Sequence, residues 1–296
     1  MTISNRNGLT SWLPHLEIIH VIPPIRMLCM AVLGSGSFSK VYKRDVDGCE
    51  CAVKVEAADE KRPQLKYESR VLRHLMECRG VPRMIKFWVD KDTKNRHMAL
   101  DLLGNNLEVA LRKSENRITQ EVVSKIIAPQ MLRILESIHN KGILHRDLKP
   151  QNIVFDKESD KRVFLIDYGL SKAFRDPDGA HIPHKTGKRI SGNLRYAGLN
   201  TLLGIESSRR DDLEALGYVL VYLAKGRLPW QSMESTLLDP YKTATHVKEA
   251  KLHLRVWDLC KELPDPYALY LMYVRNLRFD QDPDYGFLIS LFESIV

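Results

Sequence analysis

Over the first hundred residues, apolar and polar positions alternate in short runs with a period of two, which predicts strands. The run "MLCMAVLG" ends in a glycine turn at Gly34. The stretch "KVYKRDVDGCECAVKVE" reads as two alternating strands joined through Asp47-Gly48, a dipeptide that favours tight hairpins. Next, "RPQLKYESRVLRHLMEC" places Leu65, Val71, Leu72 and Leu75 at helical spacing, with Pro63 near the start. Two more strands follow, "MIKFWVD" and "HMALDLL". After Leu103 the period lengthens. "ITQEVVSKIIAPQMLRILESIHNKG" predicts one long helix stopping at Gly142, and "DDLEALGYVLVYLAKG" and "PYALYLMYVRNL" predict further helices with one apolar face. The pattern therefore predicts an α+β fold of two lobes. A small antiparallel β lobe with one helix spans 25–103, and a larger, mainly α lobe spans 104–296. Ligands favour such a junction. Residues 1–24, ending in Pro23-Pro24, read as an extension whose apolar residues, Trp12 and Ile18 among them, predict docking on the body.

Composition adds little to this picture except through charge and cysteine. A net charge of +8 favours acidic partners. Five scattered cysteines make no disulfide framework, which points to a reducing, intracellular setting, cytoplasmic or nuclear. Cys49 and Cys51 alternate along a strand and lack a second ligand pair, so a metal role is not expected. No apolar stretch is long and unbroken enough to span a membrane.

Four sequence features carry chemistry. Gly34-Ser35-Gly36-Ser37-Phe38-Ser39 sits between two strands, where glycines let backbone amides approach phosphate oxygens. Alone this is weak, because such glycines are common in hairpins. Lys54, in "AVKV", is flanked by apolar residues, and a buried ammonium needs an anion. Glu68 shares a helix face with Leu65 and Leu72. Lys54 is either paired with Glu68 and aimed at phosphates or a snorkelling edge-strand lysine; these residues alone leave the two readings even. The third feature, "ILHRDLKPQN", is the strongest. It groups a carboxylate (Asp147), a cation (Lys149) and an oxygen ligand (Asn152), the parts that phosphoryl transfer requires. Lastly, "VFLIDYG" ends an apolar strand at Asp167, a carboxylate suited to a hard divalent cation. In this order the four reproduce the protein-kinase signature set. Asp212, in the first turn of "DDLEALG", then reads as an anchor for the catalytic loop or as a plain first-turn Asp.

Between residues 26 and 295 the chain resembles the casein kinase 1 family. The resemblance rests on "LGSGSF", "RPQLKYES", "LLGNNLE", "YVRNLRFDQDPDY" and above all the segment His181 to Gln231, where Gly198-Leu199-Asn200 stands in place of the family's Ser-Ile-Asn. It implies a two-lobed serine/threonine kinase using ATP and Mg²⁺, with the metal on Asn152 and Asp167. It implies ATP under Gly34, Ser35, Gly36, Ser37 and Phe38 and between Leu33, Val41 and Ala52 above and Val154 below. The adenine would lie at Asp101–Leu103, with Leu100 guarding the back. It further implies acidic or phosphorylated protein substrates read by Arg195 and Lys188, no need for nucleic acid, and a monomer. Several positions depart from the family. Ser232 replaces a glycine, and "ESTLLDPYK" leaves only Lys242 of an expected basic cluster, so a weaker preference for phosphorylated substrates is expected. Tyr168, Gln151 and Ser39 are further departures that remove no group binding ATP or metal. A pseudokinase scaffold would be marked by loss of Lys54 or a metal carboxylate, and both are kept. A small-molecule phosphotransferase would lack the segment "TGKRISGNLRYAGLN", which is present.

Overall fold

The computed structural model describes residues 31–35, 39–115, 117–231 and 239–295. The extension at 1–24, Gly36, Ser37, Phe38 and Ser232 lie outside them, as do the readings placed there. The first part forms a five-stranded antiparallel sheet in the order β1-β2-β3-β5-β4. Its strands are β1 (Ala31–Ser35), β2 (Lys40–Val46), β3 (Cys49–Glu56), β4 (Met84–Val89) and β5 (Arg96–Asp101). The expected hairpin turn is present. Asp47 and Gly48 have φ of 54° and 82°, and the Gly48 amide donates to Asp45 Oδ1 at 3.0 Å. This is the left-handed pair that joins twisted strands without splaying them.

Helix α1 (Leu65–His74) packs Leu65, Val71 and Leu72 into the main core beneath the sheet. That core runs without interruption into the larger lobe. A smaller cluster of Val46, Cys51, Val53, Trp88 and Ala99 lies on the sheet's other face, as strand alternation requires.

The larger part is helical: α2 (Leu107–Lys113), α3 (Ala128–Asn140), α4 (Leu199–Leu202), α5 (Arg209–Lys225), α6 (Pro240–His253), α7 (Val256–Leu259), α8 (Asp265–Arg275) and α9 (Tyr285–Glu293). Short strands β6 (Ile143–Leu144), β7 (Ile153–Phe155), β8 (Val163–Leu165) and β9 (Lys172–Ala173) lie where the lobes meet. The long helix expected over 118–142 is present as a continuous helical run over 120–140. Residues Val122–Ile127 form a π-helical stretch before α3. Pro129 has no N–H to give and its ring crowds the carbonyl four residues back, so the backbone widens there. The helix ends as expected at Gly142, with φ of 76°. Helix α5 is buried along nearly its whole length, and Gly217 makes that possible. A Cβ there would meet Leu271 Cδ2 of α8 at 2.5 Å.

Among the described residues no helix is long and apolar enough to cross a membrane. Cys49 is exposed and Cys51, Cys78 and Cys260 are buried, all as free thiols.

Candidate active site

Strand register sets the roof of the cleft. Gly34, Val41, Lys54 and Met98 are successive partners across β1, β2, β3 and β5, and Ala52 pairs with Leu100. Side chains two apart on one strand share a face. Val41, Ala52, Lys54 and Leu100 therefore look to the same side. Leu33 falls in a β-bulge of β1 and is 48% exposed. The floor is fixed by the chain below: Val154 bridges to Asn106, and the Gly104 amide donates to Phe155 O at 2.9 Å. Only glycine fits at 104, where a Cβ would lie 2.8 Å from Asp156 O. Asp101 offers the cleft its backbone alone, because its carboxylate accepts from the Arg83 amide at 2.9 Å and from Arg83 Nε at 3.3 Å.

The two open readings of Lys54 separate clearly. Its side chain is only 15% exposed, and Nζ lies 2.7 Å from Glu68 Oε2 and 2.8 Å from Asp167 Oδ1. Burial alone would lower the ammonium's pKa. The Glu68 and Asp167 carboxylates outweigh burial, and the net direction is upward. Burial dominates at Glu68 and raises its pKa despite Lys54. At Asp167, whose side chain is 42% exposed, Lys54 overcomes burial and holds the pKa down. The ion pair thus keeps a charge in the cleft that burial would otherwise remove.

A second acid on β3, missed from the sequence, supports this pair. Glu56 lies two residues after Lys54, on the same face, and is buried. Its Oε1 accepts the amides of Gln64 at 2.6 Å and Leu65 at 2.9 Å, the otherwise unpaired start of α1. Arg96 holds its Oε2 at 3.1 Å. The available signal was a carboxylate at a position that strand alternation turns toward the helix.

Below the cleft, the loop after β6 brings the central group together. Lys149 Nζ lies 2.6 Å from Asp147 Oδ2, and Asn152 Nδ2 donates to Asp147 O at 2.8 Å and to Oδ2 at 3.1 Å. Asp212 underlies this loop. Its carboxylate accepts the amides of His145 and Arg146, each at 2.8 Å, and stands 3.0 Å from His139 Nε2, whose Nδ1 meets the Tyr285 hydroxyl. Burial works against Asp212's charge, but these partners prevail and its pKa is lowered. Arg146 and Asp167 both have φ of 67°, a conformation non-glycine residues hold only when neighbours enforce it. For Arg146, Asp212 on its amide and Leu170 O on its Nε at 2.8 Å supply that enforcement.

The residues expected to hold a metal fit a hard cation. With Asn152 Nδ2 engaged by Asp147, its amide oxygen is left for a ligand, and Asp167 is engaged by Lys54 through Oδ1 only. Two protein oxygens are ordinary for Mg²⁺ bound together with phosphates. Among the described residues no group of three His, Cys, Asp or Glu side chains forms a metal cage of its own.

The segment after Asp167 returns to the loop around Asp147 at a glycine that the sequence did not flag. Gly192 has φ of 81°, and a Cβ there would lie 2.4 Å from Arg146 O and 3.4 Å from Asp147 Oδ1. Replacing it with alanine meets both the backbone conformation and the clash. Gly192→Ala is expected to lower turnover on any protein acceptor by about tenfold or more while ATP affinity stays within about twofold, an effect of more than about 1.4 kcal/mol confined to the acceptor side. Steady-state kinetics with each substrate varied checks this.

Arg195 is half-buried, its guanidinium 5.9 Å from the Tyr196 ring centroid. Lys188 stands beside an acid. Its Nζ lies 2.7 Å from Glu206 Oε2, while Lys172 holds Oε1 at 2.7 Å. Lys242 is exposed near the start of α6.

A model of the protein kinase domain matches residues 29–265, most of the chain. That span contains the lysine–glutamate pair, the loop around Asp147 and the carboxylate at 167, set in a β-rich small lobe over a helical large lobe. The chain belongs to the protein kinase family.

Proposed function

We propose that this chain transfers the γ-phosphate of MgATP to serine or threonine hydroxyls of acidic or already phosphorylated proteins, as a casein-kinase-1-type enzyme. One observation carries the reading. Lys54 is paired with Glu68 and Asp167 while Lys149 and Asn152 hold Asp147, so every charged part of a phosphoryl-transfer site is engaged at once.

Each residue then has a task. Lys54 meets phosphate oxygens with a charge that Glu68 keeps in place. Lys149 and Asn152 occupy Asp147 Oδ2, which leaves Oδ1 for the acceptor hydroxyl entering beside Gly192. The acceptor oxygen forms its bond to the γ-phosphorus, and the bond to the β–γ bridging oxygen breaks. ADP leaves with that electron pair, and the hydroxyl proton passes to Asp147 Oδ1. Asn152 and Asp167 would hold Mg²⁺, which supplies neutralisation of phosphate charge when bound.

Acidic or phosphorylated substrates would be read by Arg195 and Lys188, the latter beside Glu206. The experiment is phosphorylation of an oriented peptide library by wild-type and Arg195→Ala protein. Arg195→Ala is expected to weaken acidic and phosphorylated peptides about fivefold more than neutral ones, with the difference shrinking as salt is added. A uniform loss across all peptides would remove Arg195 from substrate recognition. Transfer to a metabolite and to no peptide would remove the protein-kinase reading itself.

A further inference from the structure

Lys251, on α6, is completely buried. A buried ammonium is unfavourable unless its surroundings replace water. Here Nζ donates to Ala197 O at 2.7 Å and to Leu194 O at 3.1 Å. It also sits 4.6 Å from the Tyr218 ring centroid and 4.8 Å from that of Trp230, within range of the negative ring faces. Trp230 Nε1 donates to Arg195 O at 2.8 Å. Glu214 Oε2 accepts the Leu199 amide at 2.9 Å, and Glu214 Oε1 accepts from the Tyr218 hydroxyl and from Arg275 Nε. Arg275 Nη2 in turn donates to Lys251 O at 3.1 Å.

The backbone of 194, 195, 197 and 199 is therefore held by one buried polar network centred on a lysine far along the chain. This stretch begins two residues after Gly192, where an added Cβ would meet Arg146 O at 2.4 Å and Asp147 Oδ1 at 3.4 Å, and it carries Arg195. We propose that Lys251 is a positioning residue for the protein acceptor: it fixes the docking segment relative to Asp147 and takes no part in holding ATP. This rests on the protein-substrate reading given above. A lysine that served only to seat α6 on the lobe would, when lost, weaken both substrates together. A lysine that positions the docking segment acts on the acceptor alone.

The test uses the full chain with Lys251→Met, which keeps the apolar stem and removes the charge, and Trp230→Phe, which removes the indole donor to Arg195 O. KM is measured for an acidic peptide and for ATP, along with the slow hydrolysis of ATP by water. Lys251→Met is expected to raise peptide KM about tenfold or more, with ATP KM and hydrolysis within about twofold, and Trp230→Phe to shift in the same direction by less. Equal shifts in both KM values, or none, overturn the proposal. Should Lys251→Met fail to fold, Trp230→Phe alone must show the split. Hydrogen exchange of amides 193–201 gives a second readout that needs no acceptor. Faster exchange confined to that stretch in either variant supports the proposal, and unchanged exchange overturns it. A wild-type protein that transfers to no peptide would end the functional reading, while the exchange result would still decide the role of Lys251.

Discussion

Asp147→Asn is expected to lower phosphoryl transfer by about 10³-fold or more, several kcal/mol of transition-state stabilisation, with ATP binding retained. The substitution keeps the shape of the side chain, and Asp147 does not belong to the roof or floor of the nucleotide pocket. It removes the acceptor of the hydroxyl proton. It also turns one of two alternatives against the loop. If the new amide nitrogen occupies the Oδ2 position, it faces Lys149 Nζ and Asn152 Nδ2, both donors. If it occupies the Oδ1 position, it presents a donor where an incoming hydroxyl must give up a proton. Labelled-phosphate transfer to an acidic protein gives the rate, and a thermal shift with MgATP gives the binding. Equal rates in wild type and variant would remove Asp147 from the chemistry.

Asp212→Ala has the largest expected effect on stability. One buried carboxylate accepts two backbone amides and faces His139. Deleting it strands those donors in a dry interior, where each unsatisfied group costs about 1–3 kcal/mol, and releases Arg146 from the contact that supports its left-handed backbone. A loss of about 3–5 kcal/mol is expected, and a fall in melting temperature on the order of 10 °C. Activity should fall with it, because Asp147 follows directly in the loop. The pH dependence has a definite sign. Asp212's native pKa lies below its ordinary value, so its contribution is present above the unfolded value of about 3.9 and is lost as pH falls through the native one. The stability gap between wild type and Asp212→Ala should therefore not narrow between pH 7 and pH 5. Urea unfolding at both pH values measures it, and a gap already closing at pH 5 would show that the carboxylate is not the source.

Much of this site could be read from the sequence because its parts sit in short, chemically crowded motifs. Asp147, Lys149 and Asn152 fall within six residues, so their meeting needs only a loop. The Asp47-Gly48 turn and helix α1 followed from local pattern for the same reason. Local pattern failed where a proline acted on the turn before it, in the π-helical stretch ahead of α3. It was also silent where segments far apart in the chain meet across the fold. Lys251 reaches the carbonyls of Leu194 and Ala197, more than fifty residues earlier. In sequence it is one more basic residue in a polar helix. Gly192 carries no mark until its backbone is seen against Arg146. The partner of Lys188, a residue read with Arg195 as an anion recess, is Glu206, an acid that no motif connected to it.

The attachment of α1 to β3 has a mechanical consequence. The strand grips the helix at two levels, through Glu56 at its first amides and through Lys54 at Glu68 one turn further on. Tyr67 adds a third tie, donating to Ser171 O at 2.8 Å on the lower segment. Swinging the helix outward would break the end cap and the ion pair in one motion, parting Glu68 from Lys54 and the first amides of α1 from Glu56. Sheet and helix accordingly move as one rigid block. The linker 102–105 is itself fastened to β7, the Gly104 amide donating to Phe155 O and the Phe155 amide to Asn105 O, so the block is moored to the large lobe there and again through Tyr67.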